Sequence, residues 1–299
     1  MNYIILDMEW DNAYFYKEQR FINQILQIGA VKLNEAFEII DIFEVVVKSS
    51  ISKKVSKRFR ELTGITSEMM GNGVSFKEAV EMYNSWVGKD IVTMTWSTSD
   101  LYSIAANEKV FLKNLHIDIG KYLDLQCFIQ GELRLLGHEI KSQISLQNAA
   151  TLLNVGLDEY NLHTAKDDSL LSAALLKKCY DKKRFQSLIK DTTNPEFYQR
   201  LYFKPYYISD IKSKYIKKKH LKISCNNCGK KAIMLNDWKF KNRFFTADFI
   251  CKKCNKEFVA RLSFKKNFDN TVFKKKIIEK SNIKNEENQD ELQPLSAQM

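Results

Sequence analysis

The sequence has no apolar run that reaches the roughly 18 residues needed to cross a bilayer. Its first residues also lack the basic segment and apolar run of a secretory signal, and no internal repeat is visible. We therefore expect a chain without a membrane partner that stays in the reducing cytoplasm. In that compartment its six cysteines are more typical of metal ligands or core residues than of disulfides.

Excess positive charge is missing from the first part of the chain and concentrated in the second. Residues 1–180 hold 19 Lys and Arg against 23 Asp and Glu, a net charge of −4. Residues 181–280 hold 27 against 9, a net charge of +18, and residues 281–299 carry −3. This asymmetry predicts a polyanionic partner for the second part, and nucleic acid is the partner that we expect. A solvated lysine-rich surface without a partner is the alternative.

The distribution of apolar residues predicts an α/β fold for residues 1–185. A hydrophobic content of 44% is enough to form a sizeable core in a chain of 299 residues. Apolar runs predict strands at 3–6, 24–33, 39–47 and 91–95, and amphipathic spacing predicts helices at 76–87, 100–112, 145–155 and 166–180. Three antiparallel strands followed by α/β units indicate a mixed sheet with helices on both faces.

Two carboxylates, Asp7 and Glu9, follow the first predicted strand with one residue between them. Alternation along a strand places both side chains on the same side, with their Cα atoms roughly 6–7 Å apart. Like charges at that spacing repel each other unless a cation lies between them. The pair is therefore a candidate metal site, although acidic residues are also common where a strand meets water.

Two further acidic residues are candidates because a hard divalent cation needs more oxygen ligands than one carboxylate pair provides. Asp100 lies at the start of a predicted helix, and Asp168 lies in the first turn of the strongest predicted helix. Each has an ordinary alternative, since acidic residues at helix N-termini cap free N–H groups and complement the helix dipole. His163 precedes Asp168 by five residues, and a helix N-terminus disfavours the imidazolium form. A neutral His beside a carboxylate-bound metal can take a proton from water.

These residues, in this order, resemble the three-segment signature of the DEDDh 3′–5′ exonucleases. The signature is Asp7-x-Glu9, a later Asp100, and His163-x4-Asp168. Three flanking segments resemble the family as well: QILQIGAVKL its second strand, LTGITSEM its substrate-side loop, and LQNAATLLNV the helix before its last motif. The resemblance covers about residues 1–180 and implies a ribonuclease-H-like fold.

The resemblance also implies the role of each residue. Asp7 would bridge two Mg²⁺ or Mn²⁺ ions, with Glu9, Asp100 and Asp168 completing the ligand set, and His163 would act as the general base. Two departures from the family pattern are visible: Trp10 stands where a small hydroxyl residue is common, and the segment before Asp100 lacks a glycine. Asp167 is an alternative ligand, but the family spacing favours Asp168.

Four of the six cysteines form two Cys-x2-Cys pairs, Cys225 with Cys228 and Cys251 with Cys254. The pairs are separated by 22 residues, and each precedes a turn-prone Gly or Asn. This spacing predicts a zinc ribbon in which one structural Zn²⁺ fixes a segment too small to fold around its own core. Disulfides or a redox pair are the alternatives. Cys127 and Cys179 lack a partner spacing and are expected to be buried thiols.

The predicted organisation has four parts. They are an exonuclease domain at 1–185, a basic helical or linker segment at 186–222, a zinc ribbon at 223–262, and a tail at 263–299 that is basic and then acidic and disordered at its end. Basic residues and the aromatic residues Trp238, Phe244 and Phe245 give the ribbon the composition of a single-strand nucleic-acid platform, although some of these rings must fill its core.

The sequence therefore predicts a metal-dependent 3′–5′ exonuclease that acts on 3′ ends of single-stranded nucleic acid. RNA is preferred over DNA because the chain looks nearer to the RNA-trimming, KapD-like branch than to polymerase-linked proofreading. A DNA exonuclease of proofreading or repair type and a catalytically silent nucleic-acid-binding module are the alternatives. The ribbon could instead contact a protein partner, and the oligomeric state stays open.

Overall fold

The computed structural model describes residues 1–279 and divides the chain into two compact units. The first unit is Met1–Leu201, and the second begins at Tyr202. The first unit therefore runs past residue 185, where the sequence places the end of the exonuclease domain. The predicted disordered end of the tail lies outside the described residues.

The first unit contains a six-stranded mixed sheet in the order β3-β2-β1-β4-β5-β6. Its strands are β1 Asn2–Phe15, β2 Arg20–Leu33, β3 Ile39–Val46, β4 Ile91–Thr95, β5 Lys121–Asp124 and β6 Lys190–Asp191. The first three strands form an antiparallel meander, and β4 and β5 then add in parallel to β1. This arrangement confirms the predicted mixed sheet of three antiparallel strands followed by α/β units.

Helices cover both faces of this sheet. They are α1 Lys57–Thr63, α2 Ser67–Gly71, α3 Phe76–Val87, α4 Ser99–Phe111, α5 Leu125–Leu135, α6 Leu146–Leu152, α7 Ala165–Cys179, α8 Lys182–Leu188 and α9 Pro195–Tyr202. Apolar side chains of α3 and α4 pack on one face, and those of α5, α6 and α7 pack on the other. Two hydrophobic cores therefore hold the sheet between two helical layers.

The first strand is longer than predicted. The expectation that it ends at Leu6 is wrong, because β1 continues through Asp7 and Glu9 to Phe15 and pairs with β2 from Tyr3 to Phe15. Backbone pairing with an antiparallel partner and the aromatic residues near the turn favour strand over loop. One bulge interrupts the ladder, where Leu26 is the extra residue between the pairs Glu9–Gln27 and Trp10–Ile25.

The second unit is a second sheet, in the order β12-β11-β10-β8 with β7 beside β11 and β9 beside β10. Its strands are β7 Tyr206–Tyr207, β8 Ile233–Met234, β9 Lys239–Lys241, β10 Phe244–Cys251, β11 Lys256–Lys266 and β12 Thr271–Glu279, and a short 3₁₀ helix spans Lys218–Leu221. Residues 263–279, predicted as part of a tail, therefore belong to the sheet.

This second sheet has a hydrophobic core of its own. Phe245, Phe249, Phe258 and Phe264 are each less than 5% exposed. The expectation that zinc replaces a core in this segment is therefore wrong, because the sheet recruits apolar residues from both sides of the predicted ribbon. The expectation of a buried thiol is also wrong for Cys127, which is exposed. Within residues 1–279, no helix is long and apolar enough to span a membrane.

Candidate active site and cysteine cluster

Three carboxylates from two elements of the first unit lie close together. Asp7 and Glu9 come from β1, and Asp168 comes from the first turn of α7. One carboxylate oxygen of each lies within 4.8 Å of the others. Asp100, in the first turn of α4, is not a member of this 4.8 Å group, but its charge raises the pKa of Asp7. The structure therefore gathers the four acidic residues singled out in the sequence into one region.

The pKa values of the β1 carboxylates are raised. Burial is the largest cause for both residues, and the neighbouring carboxylates raise the values further. The pKa of Asp7 lies well above its usual range, and that of Glu9 is raised to about 8. A negative charge on this cluster is therefore unfavourable in the protein alone, both because water is excluded and because the charges repel one another.

Asp100 is almost fully buried, with 4% of its surface exposed. Burial raises its pKa to about 7, although its carboxylate accepts hydrogen bonds from its own amide and from the amide of Met8, which partly offset the shift. Met8 lies between Asp7 and Glu9, so this bond ties the start of α4 directly to the acidic segment of β1.

The loop between β4 and α4 contains a strained residue. Ser97 has φ of +113°, in the left-handed half of the Ramachandran map that favours glycine. Its carbonyl accepts hydrogen bonds from the hydroxyls of Thr95 and Tyr122. The glycine missing from this segment of the sequence is thus matched by a serine held in a glycine-like conformation, three residues before Asp100.

Asp168 and His163 are linked at the entrance to α7. The backbone N–H of His163 donates to Oδ1 of Asp168 at 3.4 Å. Burial raises the pKa of Asp168, and this hydrogen bond partly offsets the increase. His163 has φ of +69°, and its exposed side chain is accessible to solvent. Asp167 points elsewhere, because its Oδ2 accepts the amide of Asn161 at 3.2 Å. Asp168, and not Asp167, therefore belongs to the carboxylate group.

Gly29 allows α7 to approach the sheet closely. It pairs with Asp7 across the ladder, and a Cβ atom at this position would lie 2.3 Å from backbone atoms of Ala165 and Lys166. The hydroxyl of Ser169 also donates to the carbonyl of Gly29 at 3.3 Å. The absence of a side chain here brings the first turn of α7, and with it Asp168, next to Asp7.

A second contact fixes the same end of α7. The side-chain oxygen of Gln27 accepts the amide of Ala165 at 3.1 Å, and its nitrogen donates to Glu44. Sequence reasoning missed both Gln27 and Gly29 as positioning residues. A glycine inside a predicted buried strand was the available signal, since it often marks a close backbone approach.

The carboxylate region fits a divalent cation. All four side chains offer oxygen atoms, the donor type that Mg²⁺ and Mn²⁺ prefer. Burial and mutual repulsion, the causes that raise the pKa values of Asp7 and Glu9, are both offset by a bound positive charge. The chemistry of the donor set therefore agrees with metal binding.

The four paired cysteines of the second unit also lie together. Their sulfur atoms are all within 4.8 Å of one another, with Sγ–Sγ distances of 4.0 Å for Cys225–Cys254 and 3.5 Å for Cys228–Cys251. All four are free thiols and not disulfides. A tetrahedron with Zn–S bonds of about 2.3 Å has edges of about 3.8 Å. The cluster therefore has the dimensions of a four-cysteine zinc site.

The two turns that hold these cysteines have the same backbone feature. Gly229 and Asn255 directly follow the second cysteine of each pair and have φ values of +69° and +51°. Gly and Asn are the residues that adopt this conformation most easily. The amide of Gly229 also donates to the carbonyl of Cys225 at 2.9 Å, which closes the first turn. Both cysteine pairs are therefore presented by tight turns at matching places.

The aromatic residues of the predicted platform divide between core and surface. Phe245 is buried, and Trp238 packs against Phe249 at a ring distance of 5.6 Å, so both serve the core. Phe244 is half-buried, with the guanidinium of Arg261 3.8 Å from its ring centre. The guanidinium of Arg243 similarly lies 5.3 Å from the ring centre of Tyr207. Cation–aromatic pairs thus occupy part of this sheet.

Comparison with protein families gives a match to the first unit. The family model described as "RNase_T: Exonuclease" matches residues 20–176, more than half of the chain. The matched region contains Asp100, His163 and Asp168 and begins after Asp7 and Glu9.

Individual relatives are distant. DNA polymerase III PolC-type of Thermotoga petrophila is 24% identical over 154 residues, which is 51% of this chain and 10% of that protein. The chain thus spans about a tenth of the length of this curated relative.

Among solved structures, cell-death related nuclease 4 is 19% identical, with 59% of this chain and 62% of that chain covered and a TM-score of 0.51. The nuclease domain of 3′hExo, described as a DEDDh family member bound to rAMP, is 20% identical over 59% of this chain and 90% of that chain, with a TM-score of 0.49. At this identity the first likeness supports a shared fold.

Proposed function

Because this chain belongs to the RNase_T exonuclease family, we propose that it is a metal-dependent nuclease that removes nucleotides from the 3′ ends of nucleic acids. The single observation that carries this proposal is the carboxylate group of Asp7, Glu9 and Asp168, which joins the N-terminal strand to the helix of the last motif. The predicted resemblance to DEDDh exonucleases agrees with the family assignment.

The carboxylates would hold two Mg²⁺ or Mn²⁺ ions. Asp7 would contribute to both, and Glu9, Asp100 and Asp168 would complete the ligand set. Bound ions of this type lower the pKa of a coordinated water and stabilise the charge that develops on the leaving 3′ oxygen. The protein supplies the rigid frame, because Gln27 and Gly29 fix the end of α7 against β2.

His163 is proposed to accept the proton of the attacking water. It lies one residue before Thr164, the N-cap of α7, and a neutral imidazole is a proton acceptor. Its exposure gives the proton a path to solvent. Because the His163 amide also bonds Asp168, the base and a ligand are positioned by the same turn of backbone.

The test of this proposal is the pattern of products from end-labelled oligonucleotides. With Mg²⁺ or Mn²⁺, a 3′ label should appear at once as mononucleotide, whereas a 5′ label should give a descending ladder. Asp7→Asn should give neither product. Immediate mononucleotide from the 5′ label, or cutting of a closed circle, would overturn the direction that we propose.

The role of His163 has its own measurement. The logarithm of the wild-type rate should rise with pH and level off once the general base has lost its proton. His163→Asn tolerates the same left-handed backbone, and it should lower the rate by about 10²–10⁴-fold and flatten the rise. Metal affinity should change little, because His163 is not a proposed ligand. An unchanged pH profile would contradict the assignment.

RNA is the proposed substrate, and DNA is the second candidate. The family name favours RNA, whereas the curated relative is a DNA polymerase, so matched RNA and DNA oligomers of one sequence are the direct comparison. Faster release from RNA is expected. Equal or faster release from DNA would move the assignment to the second candidate.

We also propose that the second unit binds nucleic acid and that a structural Zn²⁺ occupies its cysteine cluster. The pairs Arg261–Phe244 and Arg243–Tyr207 support the first part, because guanidinium groups contact phosphates and aromatic rings stack on bases. The four sulfur positions support the second. A protein partner for this unit is the alternative.

A further inference from the structure

The β1–β2 hairpin extends well beyond the acidic residues and ends in exposed aromatic side chains. Tyr14 lies five positions after Glu9 along β1, and the turn follows at residues 16–19. Tyr16 is 77% exposed, the largest value among the exposed large hydrophobic residues of the described chain, and Phe21 is 64% exposed. Such a group of apolar rings in solvent is typical of an interaction surface.

The aromatic residues form an ordered group, which we call the tip cluster: Tyr14, Tyr16 and Phe21. The ring of Tyr14 lies 4.9 Å from that of Tyr16 and 5.1 Å from that of Phe21, its partner across the ladder. Gln19 fixes the group, because its side chain accepts from the Tyr14 hydroxyl at 3.2 Å and donates to the carbonyl of Tyr16 at 2.8 Å. The rings are therefore held in place without being buried.

A groove of about 350 Å³ runs between this hairpin and residues 49–56. Its lining includes Asp11, Tyr14 and Tyr16 on the hairpin side and Ser49, Ser52 and Lys54 on the other. Alternation along β1 places Asp11 on the same side as Asp7 and Glu9. The groove therefore begins two residues beyond Glu9, and its lining includes Tyr14 and Tyr16 of the tip cluster but not Phe21.

The far wall of the groove belongs to a basic segment. Residues 48–60, KSSISKKVSKRFR, carry six Lys and Arg and no acidic residue. This segment lies within the first 180 residues, so its charge is opposite in sign to the net charge of −4 of that part of the chain. Lysine and serine side chains of this kind are the usual donors to phosphate oxygens.

We propose that this groove holds the substrate strand on the 5′ side of the nucleotide being removed, with bases of the strand stacked on the tip cluster. The proposal rests on the proposed function, because it assumes that the 3′ end lies at the carboxylate group. The lining contains Tyr14 and Tyr16 on the hairpin side and Lys54 on the other, and five further Lys and Arg belong to the same basic segment. Aromatic rings and cations are the two components of a sequence-tolerant single-strand site. The occupant is therefore a single-stranded nucleic acid and not an apolar peptide.

The length of the hairpin sets the expected position of the contact. Five residues of strand span about 17 Å, which is the length of about five stacked nucleotides. The tip cluster should therefore touch the strand from about the fifth nucleotide onwards. Shorter oligomers should end before they reach it.

The experiment compares oligonucleotides of 3 and 12 nucleotides as substrates for the full-length chain. Tyr16→Ser combined with Phe21→Ser should lower the ratio of kcat/KM for the 12-mer to that for the 3-mer by about tenfold, since stacking on aromatic residues contributes at least this much. Tyr16→Phe should keep the wild-type ratio. Ile40→Ser, a change at a residue that is 52% exposed on β3, is the matched control. A double variant with the wild-type ratio would overturn the proposal.

A second readout does not depend on catalysis. A 12-mer with one photoreactive base is bound without added Mg²⁺ or Mn²⁺ and irradiated. Cross-links to Tyr16 or Phe21 are expected from about the fifth to the seventh nucleotide and not from the second. If the wild type cleaves no oligomer, the proposed function fails, while this experiment still tests the groove. Cross-links that avoid the hairpin at every position, or tip variants that change only self-association, would overturn the groove proposal.

Discussion

A negative charge on Asp7 is electrostatically unfavourable, because burial and three neighbouring carboxylates all raise its pKa. Asp7→Asn keeps the shape of the side chain and removes the charge. We expect it to abolish metal-dependent cleavage and, without added divalent ions at pH 8, to raise the melting temperature. Asp158→Asn, at an exposed position, is the control and should change neither. A melting temperature lowered by several degrees in Asp7→Asn alone would contradict this account.

The same carboxylates predict a pH dependence of stability without added divalent ions. The pKa values of Glu9 and Asp100 are raised to about 8 and about 7. The folded protein therefore binds more protons than the unfolded chain between about pH 4.5 and pH 8, so its free energy of unfolding should fall as pH rises through this range. Urea denaturation from pH 5 to pH 9 measures the trend. Mg²⁺ should stabilise the protein more at pH 8 than at pH 5, and an opposite slope would contradict the prediction.

Ser97 gives a prediction that depends on backbone alone. Inside regular structure, a protein with alanine is normally about 0.5–1 kcal/mol more stable than the same protein with glycine. At φ of +113°, however, a residue with a side chain is strained. Ser97→Gly should therefore be more stable than Ser97→Ala, and both lose the same hydroxyl. At Ser99, inside α4, the order should be reversed. Thermal melts of the four variants measure both differences in stability. A Ser97→Ala variant more stable than Ser97→Gly would contradict the strain that we assign to this residue.

At the scale of the elements, the approach of α7 to β2 decides whether Asp168 of α7 lies next to Asp7 and Glu9 of β1. Gly29→Ala would place a Cβ atom 2.3 Å from the backbone of α7, so we expect a loss of stability of a few kcal/mol and a large loss of activity. Gly131→Ala in α5 is the matched control, because nothing lies within 4 Å of its added Cβ. That change should stabilise the protein by about 0.5–1 kcal/mol. Native activity in Gly29→Ala would contradict the role that we give this contact.

The elements also explain what could and could not be predicted from the sequence. Carboxylates at strand and helix ends are visible as a pattern, so Asp7, Glu9, Asp100 and Asp168 were identified as candidates. Their joint role stays a prediction. Gln27 and Gly29 contact a helix that lies more than 130 residues later in the sequence. The local spacing of residues does not predict such a contact.

Two sheet elements were missed for local reasons. The extension of β1 to Phe15 was missed because Asp7 and Glu9 were interpreted as the end of the strand, although both lie within it. Strand β12 was missed because TVFKKKIIE looks like a basic tail, although pairing with β11 satisfies its backbone. In both cases the partner strand, and not the composition of the segment, decides the structure.

At the scale of the whole molecule, the two units contain two separate candidate metal sites with different ligands. Oxygen ligands in the first unit favour Mg²⁺ or Mn²⁺, and sulfur ligands in the second favour Zn²⁺. Each ion should therefore stabilise only its own unit.

Zinc removal should separate the two proposed activities. Purified protein should contain about one Zn²⁺ per chain, and Cys228→Ser should lose it. This variant should bind long single strands more weakly, because the sheet that carries Arg243 and Tyr207 is destabilised, yet it should still hydrolyse a 3-mer. Elemental analysis, strand binding at several salt concentrations and 3-mer turnover are the measurements. Zinc-free protein with unchanged strand binding would contradict the prediction.

If the groove binds the strand as proposed, the length of the β1–β2 hairpin sets the distance between the carboxylate group and the tip cluster in steps of two residues. Side chains alternate with a period of two, so adding one residue to each strand would turn Tyr14 and Phe21 to the opposite side, whereas adding two would keep their side. Each permitted step changes the reach of the tip by about 6.8 Å, or about two stacked nucleotides. Hairpins lengthened or shortened by pairs of residues should therefore give enzymes whose footprint on a strand changes by even numbers of nucleotides.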